Sequence, residues 1–224
     1  MKKLLVLLFS LLISFNSYGG LFDKTVCIET DSQERGGLIY LPNKTKPFSG
    51  KNLCEYESGQ YKSKGNVKKG TKDGNWTWWK ENGFKELGRN YNIGELIGEI
   101  EYSYWNNGQI MYEAEYKNDK QDGKSTWWHE NGQKSSEENH KNGLRHGKWI
   151  SWYENGVKEA ESLNKDGELN GKVTGWHNNG QKSVVGNWKD SKKDGKWTHW
   201  NENGQIESER TWQNGVCISG DCPD

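Results

Sequence analysis

Trp79-Lys80-Glu81-Asn82-Gly83 returns as Trp128-His129-Glu130-Asn131-Gly132 and again as Trp200-Asn201-Glu202-Asn203-Gly204. The closing glycine belongs to a register formed by Gly59, Gly83, Gly108, Gly132, Gly156, Gly180 and Gly204. Its successive intervals are 24, 25, 24, 24, 24 and 24 residues. A second register, Gly74, Gly98, Gly123, Gly147, Gly171 and Gly195, runs between these positions. A fixed period in this range marks a repeat architecture, in which each unit buries its face against its neighbours. Such molecules present surfaces more readily than they enclose active sites.

One unit reads Gly-Lys-Trp-Thr-x-Trp-x-Glu-Asn-Gly-Gln-Lys, followed by a polar stretch holding one aromatic residue. Asn-Gly between two strand-like runs predicts a hairpin closed by a type I′ turn. The structural turn glycines are therefore Gly83, Gly108, Gly132, Gly156, Gly180 and Gly204. The second strand places Tyr91, Tyr116, Trp188 or Trp212 eight residues after that glycine, with His140 and Asn164 filling the slot in two units. A further turn, such as Asn142-Gly143, closes the unit. No i, i+3, i+4 apolar stripe develops after residue 20. The expected fold is all-β, an elongated antiparallel meander of tandem hairpins of about 24 residues. It has six complete units, partial ones at the ends and no substantial helix beyond the N-terminus. Trp149 and Trp152, like Trp197 and Trp200, are three apart. They point to opposite faces unless a bulge intervenes, and both arrangements stay open at this level.

Met1-Lys2-Lys3, an apolar run from Leu4 to Phe15, and Ser17 and Gly19 as small residues at the −3 and −1 positions of a cleavage site read as a secretory signal peptide over residues 1–19. Residues 20–47 form a lead or capping segment, 48–216 the repeats, and 217–224 a C-terminal cap or tail. Export places the protein in the periplasm or outside the cell, with no transmembrane segment in the mature chain. Oxidising compartments permit disulfides. Four cysteines allow three connectivities, and local pairing, Cys27–Cys54 and Cys217–Cys222, is the simplest because each pair staples one end of the array. Neither pair has Cys-x-x-Cys spacing, which argues against a metal. The 31 basic and 31 acidic residues cancel, so nothing in the net charge favours nucleic acid or an anionic membrane.

Tandem Gly-x-Trp-x-x-Trp-x-x-Asn-Gly units resemble MORN repeats, in the bacterial variant found in YwqK-type antitoxin proteins. The resemblance spans roughly residues 48–216. It implies an elongated hairpin ribbon that binds without catalysis, with membranes, lipids and protein scaffolding as the associations of eukaryotic members and toxin neutralisation as that of the bacterial variant. An export signal conflicts with neutralising a cytoplasmic toxin.

Catalytic groups are hard to assemble from such a chain. Glu81, Glu130, Glu154 and Glu202 share one turn position, so neighbours stand two strands, or ~10 Å, apart in solvated turns. His129 and His177 lie two units apart, too far to share a metal. No nucleophile, phosphate-loop or metalloprotease motif occurs, and no cofactor is expected. Tryptophan is the residue type with binding potential. Trp79, Trp128, Trp152, Trp176 and Trp200 read as core; Trp78, Trp105 and Trp127 read as binding candidates, because a neighbouring ring already fills the repeat position. The expected function is a non-enzymatic exported scaffold for an unidentified protein partner. Alternatives are a glycan- or envelope-binding module using exposed aromatics, or an antitoxin if the export signal is misread.

Overall fold

The computed structural model describes residues 24–222, so the signal-peptide expectation for residues 1–19 lies outside the described residues. From Gly50–Glu55 onward the chain folds as successive antiparallel strands, through Tyr61–Lys68, Thr71–Trp79 and Lys85–Asn92 to Ile206–Gln213 and Val216–Gly220. Each strand pairs with the one before it. The one helix among the described residues is the single turn Ile28–Asp31. The array is an all-β meander of hairpins.

Its two kinds of turn exchange the chemistry that the sequence suggests. In the Asn-Gly turns only the glycine has positive φ, 83° at Gly132 and 81° at Gly156, while the asparagine does not. The amide of Gly132 donates to the His129 carbonyl at 2.9 Å, and the His129 amide donates to the Gln133 carbonyl at 2.8 Å. This is a three-residue loop, a type I turn closed by a left-handed glycine, and not the expected type I′ turn. Three loop residues suit a type I turn, and Oδ1 of Asn131 supports it by accepting from the Gln133 amide at 2.9 Å; Ser58-Gly59 and Asn203-Gly204 take the same turn without that bond. Type I′ geometry falls instead on the second turns. There both central residues have positive φ, as at Asn142-Gly143 (52° and 86°) and Asp190-Ser191 (47° and 59°).

The second glycine register forms no turns. Gly74, Gly123, Gly147, Gly171 and Gly195 kink the first strand of each unit at positive φ. Gly98 is one place out of step: Glu99 opposes Tyr116, as Gly74 opposes Tyr91. The 25-residue interval is absorbed there. Seven hairpins are complete, one more than expected, because Ser58-Gly59 makes the same turn as its Asn-Gly counterparts.

Every hairpin carries a bulge just after its turn. Ser151 opposes Ala160 but Trp152 opposes Lys158, which leaves Glu159 as the extra residue. The bulge is in the second strand, so the first strand alternates without interruption and Trp149 and Trp152 face opposite ways. One face of the sheet is packed. On it Trp76 (2% exposed) lies over Gly65 and Trp197 (4%) over Gly186, with Ala114 and Ser125 buried alongside. A Cβ at Gly65 or Gly186 would fall inside the indole. Trp188 meets Trp197 edge-on at 5.3 Å, and Trp76 stacks on Trp78 at 5.6 Å.

The ends differ from the repeats. Thr25–Val26 adds to Gly50–Glu55 as a parallel strand, the one departure from the antiparallel order among the described residues. Val26 and Phe48 then cover Val67 and Trp76. Both disulfides join the expected partners, Cys27 to Cys54 and Cys217 to Cys222. Cys54 lies within the first complete hairpin, not ahead of it.

Three substitutions separate these effects in urea melts. Gly186→Ala costs about 1–3 kcal/mol through overpacking alone. Gly156→Val costs more than ~1 kcal/mol through its left-handed backbone. Lys158→Ala, at a partly exposed ion pair, costs under about 1 kcal/mol. Equal midpoint shifts would show the turn and the ring contact to be misassigned. Replacing Cys27 and Cys54 by serine opens a 27-residue separation and removes about 3 kcal/mol; an unchanged melting temperature would count against the staple.

Candidate interaction surface

The face opposite the packed one is built from lysine, glutamate, threonine and tryptophan in register. Lys124 and Lys134 grip Glu137 at 2.8 and 2.7 Å, and Lys148 and Lys158 grip Glu161, both at 2.9 Å. Lys196 reaches Glu209 at 2.6 Å. Burial works to raise the Glu137 pKa, but the hydrogen bonds and charges of its two lysines outweigh it and the net direction is down. At Glu161 the hydrogen bond from Lys148 leads the same downward shift. Pairs this exposed contribute little stability; they fix the lysines in place.

Between these rungs run Trp128, Trp152, Trp176 and Trp200, one per unit and each half-buried. Equivalent rings stand ~10 Å apart, two strand spacings. Lys134 lies over the Trp152 ring at 5.9 Å and Lys158 over Trp176 at 5.6 Å. Thr126, Thr174 and Thr198 are buried along the same row. The result is a regular surface of amphipathic rings and paired charges.

Along the turn edge a second ladder joins the units. The residue after Trp128, Trp152 and Trp176, and Trp105 after Tyr104 at the equivalent position, reaches the backbone of the next unit. Trp105 Nε1 donates to the Trp128 carbonyl at 3.0 Å, and the Tyr153 hydroxyl donates to the Trp176 carbonyl at 2.8 Å. His129 and His177 reach the Trp152 and Trp200 carbonyls through Nε2, at 2.9 and 2.7 Å. A carbonyl only accepts, so both imidazoles carry a proton on Nε2. Burial leads the upward shift of the Tyr153 pKa, which keeps that hydroxyl a donor. Asn131 and Asn179 add amide bonds to the Glu154 and Glu202 carbonyls at 2.8 and 2.7 Å. The turn glutamates Glu81, Glu130, Glu154 and Glu202 are exposed. Lys80 breaks the series, and there Phe84 stacks on Tyr104 at 4.5 Å. The sequence reading missed this ladder. Its signal was a hydrogen-bonding ring repeatedly placed just after the tryptophan.

The three tryptophans singled out from sequence are not brought together. Trp78 is half-buried on the packed face beside Trp76, and Trp127 lies on that face against Tyr112 at 4.8 Å. Trp105 is committed to the turn-edge ladder. On the packed face Lys72 is ringed by Trp76, Trp78 and Tyr91, 4.9 to 5.4 Å from their centroids. Burial, helped by the charge of Arg89, lowers its pKa. The same face buries Glu138, which receives two bonds from Arg145 at 2.8 and 2.9 Å and stands 3.4 Å from His140. Among the described residues no group of three His, Cys, Asp or Glu is placed to hold a metal ion, and no helix is long and apolar enough to cross a membrane.

Four segments, residues 94–118, 121–142, 145–163 and 193–214, match the family model described as the MORN repeat variant. No curated protein matches the chain. Removing a rung of the turn-edge ladder tests how much it contributes. Tyr153→Phe and His177→Ala should each cost about 0.5–1.5 kcal/mol, read from thermal and urea melts. No loss in either would leave the ladder without a stabilising role.

Proposed function

We propose, from the premise that this chain is a MORN-repeat protein of the variant type, that it is an exported, non-catalytic scaffold binding a protein partner. MORN repeats are commonly protein- or membrane-interaction modules. The observation that carries the reading is the row of Trp128, Trp152, Trp176 and Trp200 set between fixed lysine–glutamate pairs. Tryptophan is over-represented among residues that dominate binding energy, and ordered charges around it favour specificity. Trp78, Trp105 and Trp127 enter the proposal as secondary contacts, reached where a partner wraps past the turn edge onto the packed face.

Export rests on the N-terminal sequence and on the two disulfides, which belong in an oxidising compartment. Periplasmic or extracellular residence follows from it. Toxin neutralisation in the manner of YwqK-type proteins is the competing reading, and it requires a cytoplasmic location with reduced thiols.

Crosslinking in the native cell tests both parts. The mature protein should be recovered outside the cytoplasm and attached to a protein partner. Trp152→Ala combined with Trp176→Ala should weaken capture of that partner by about tenfold or more, while circular dichroism stays unchanged. Capture unaffected by the double substitution would move recognition off this row. Intact protein with free thiols in the cytoplasm would replace the exported scaffold with the antitoxin reading.

A further inference from the structure

The charged face changes character over the first two hairpins. Glu137, Glu161 and Glu209 share one register position, and each is held by lysine. The first hairpin puts Lys64 at that position and the second puts Gly88. The sixth also lacks the carboxylate, but replaces it with apolar Val185. Over the first two hairpins the result is a groove of about 610 Å³ lined by Lys51, Lys64, Lys85, Asn66, Asn75 and Trp79, with no carboxylate in its lining. Glu55, at the register position of Trp79 one unit earlier, does not line it. Among the described residues none of the three lysines has an ion-pair partner, and the amides of Asn66 and Asn75 make no side-chain hydrogen bond. In the fourth, fifth and seventh hairpins lysines on this face are paired with the register glutamate; in the groove Lys51 and Lys64 stand unpaired, and Lys85 lies over the Tyr102 ring at 5.2 Å.

We infer that this groove is a binding site for an acidic glycan, a chain of sugar units carrying carboxylate groups. Three observations favour a sugar. The half-buried Trp79 ring offers a platform to the C–H face of a pyranose. Each free amide supplies both donor and acceptor to neighbouring hydroxyls. The charges are lysine point charges, with no arginine fork for bidentate phosphate recognition. An extended acidic peptide is disfavoured, because peptides add to sheets at a free edge and this groove lies on the face of strands paired on both sides. The inference stands apart from the protein-binding row, which occupies later units.

Titration calorimetry on the mature protein tests it, with a galacturonic acid oligomer as probe. Arms with a neutral glucose oligomer, poly-glutamate and phosphatidylglycerol vesicles distinguish the sources of negative charge. The uronate oligomer should bind, with affinity falling as salt rises, and the neutral oligomer should not. Lys64→Glu, which restores the carboxylate of the later units, should weaken binding by at least about tenfold, while Lys172→Glu, on the same face away from the groove, leaves it within about twofold. Lys51→Gln with Lys85→Gln provides the same test should Lys64→Glu fail to fold by circular dichroism. Absence of uronate binding, equal binding of the neutral oligomer, or binding indifferent to both groove variants would overturn the site. Equal or tighter binding of poly-glutamate or vesicles, lost in the same variants, would overturn the glycan as its occupant.

Discussion

A sheet with no second layer across it must keep its rings dry with its own neighbouring strands. Among the described residues the lead segment packs Val26 and Phe48 against Val67 and Trp76 at the first end, and beyond it the strands contact chiefly their sheet neighbours. The packing of this protein follows from that constraint. Trp76 and Trp197 are buried because the adjacent strand offers Gly65 and Gly186, whose missing side chains leave room for an indole to lie flat on backbone. Small residues such as Ala114 and Ser125 are then sealed beneath larger neighbours. Leucine and isoleucine, which need partners from above, contribute little here, whereas a broad flat ring is suited to this kind of burial.

The same geometry divides labour between the faces. The packed face spends its aromatic rings on one another and on lysines such as Lys72. The opposite face holds its tryptophans at a fixed spacing, and the post-turn bulge sets Lys134, Lys158 and Lys182 opposite Trp128, Trp152 and Trp176. A surface made of repeated positions can be changed one unit at a time. With Lys64 and Gly88 in place of the register glutamate, the first two hairpins present Lys51, Lys64 and Lys85 around a groove with no carboxylate in its lining, on the same hairpin backbone.

Much of this was legible in the sequence, because the turns are local. Glycine spacing set the hairpins, the absence of a helical stripe excluded helices, and cysteine position anticipated both disulfides. What was not legible depended on side chains acting across units. Asn131 looks like a type I′ residue until its Oδ1 is seen to bond the Gln133 amide and its Nδ2 to bond the Glu154 carbonyl of the next hairpin. Gly98 looks like a register glycine until pairing puts Glu99 in that place. The facing of Trp149 and Trp152 depended on which strand carries the bulge, and Gly-Lys-Trp-Thr-x-Trp is silent on that. Trp78, Trp105 and Trp127 shared a rationale but not a location, because one is set by core packing, one by the ladder and one by a tyrosine across the strand.

The two disulfides also give the array a direction. Cys27–Cys54 ties the lead segment to a strand inside the first hairpin, whereas Cys217–Cys222 closes a loop within the tail and is bonded to no other strand. Under tension applied at the two termini, the covalent staple holds the first end while the last strand is retained only by its ladder to Ile206–Gln213. Each hairpin contacts only the next, so once that strand peels away the one before it becomes the new margin. The molecule would unzip from its C-terminal end in hairpin-sized steps, a sawtooth in force with the stapled hairpin as the last rip.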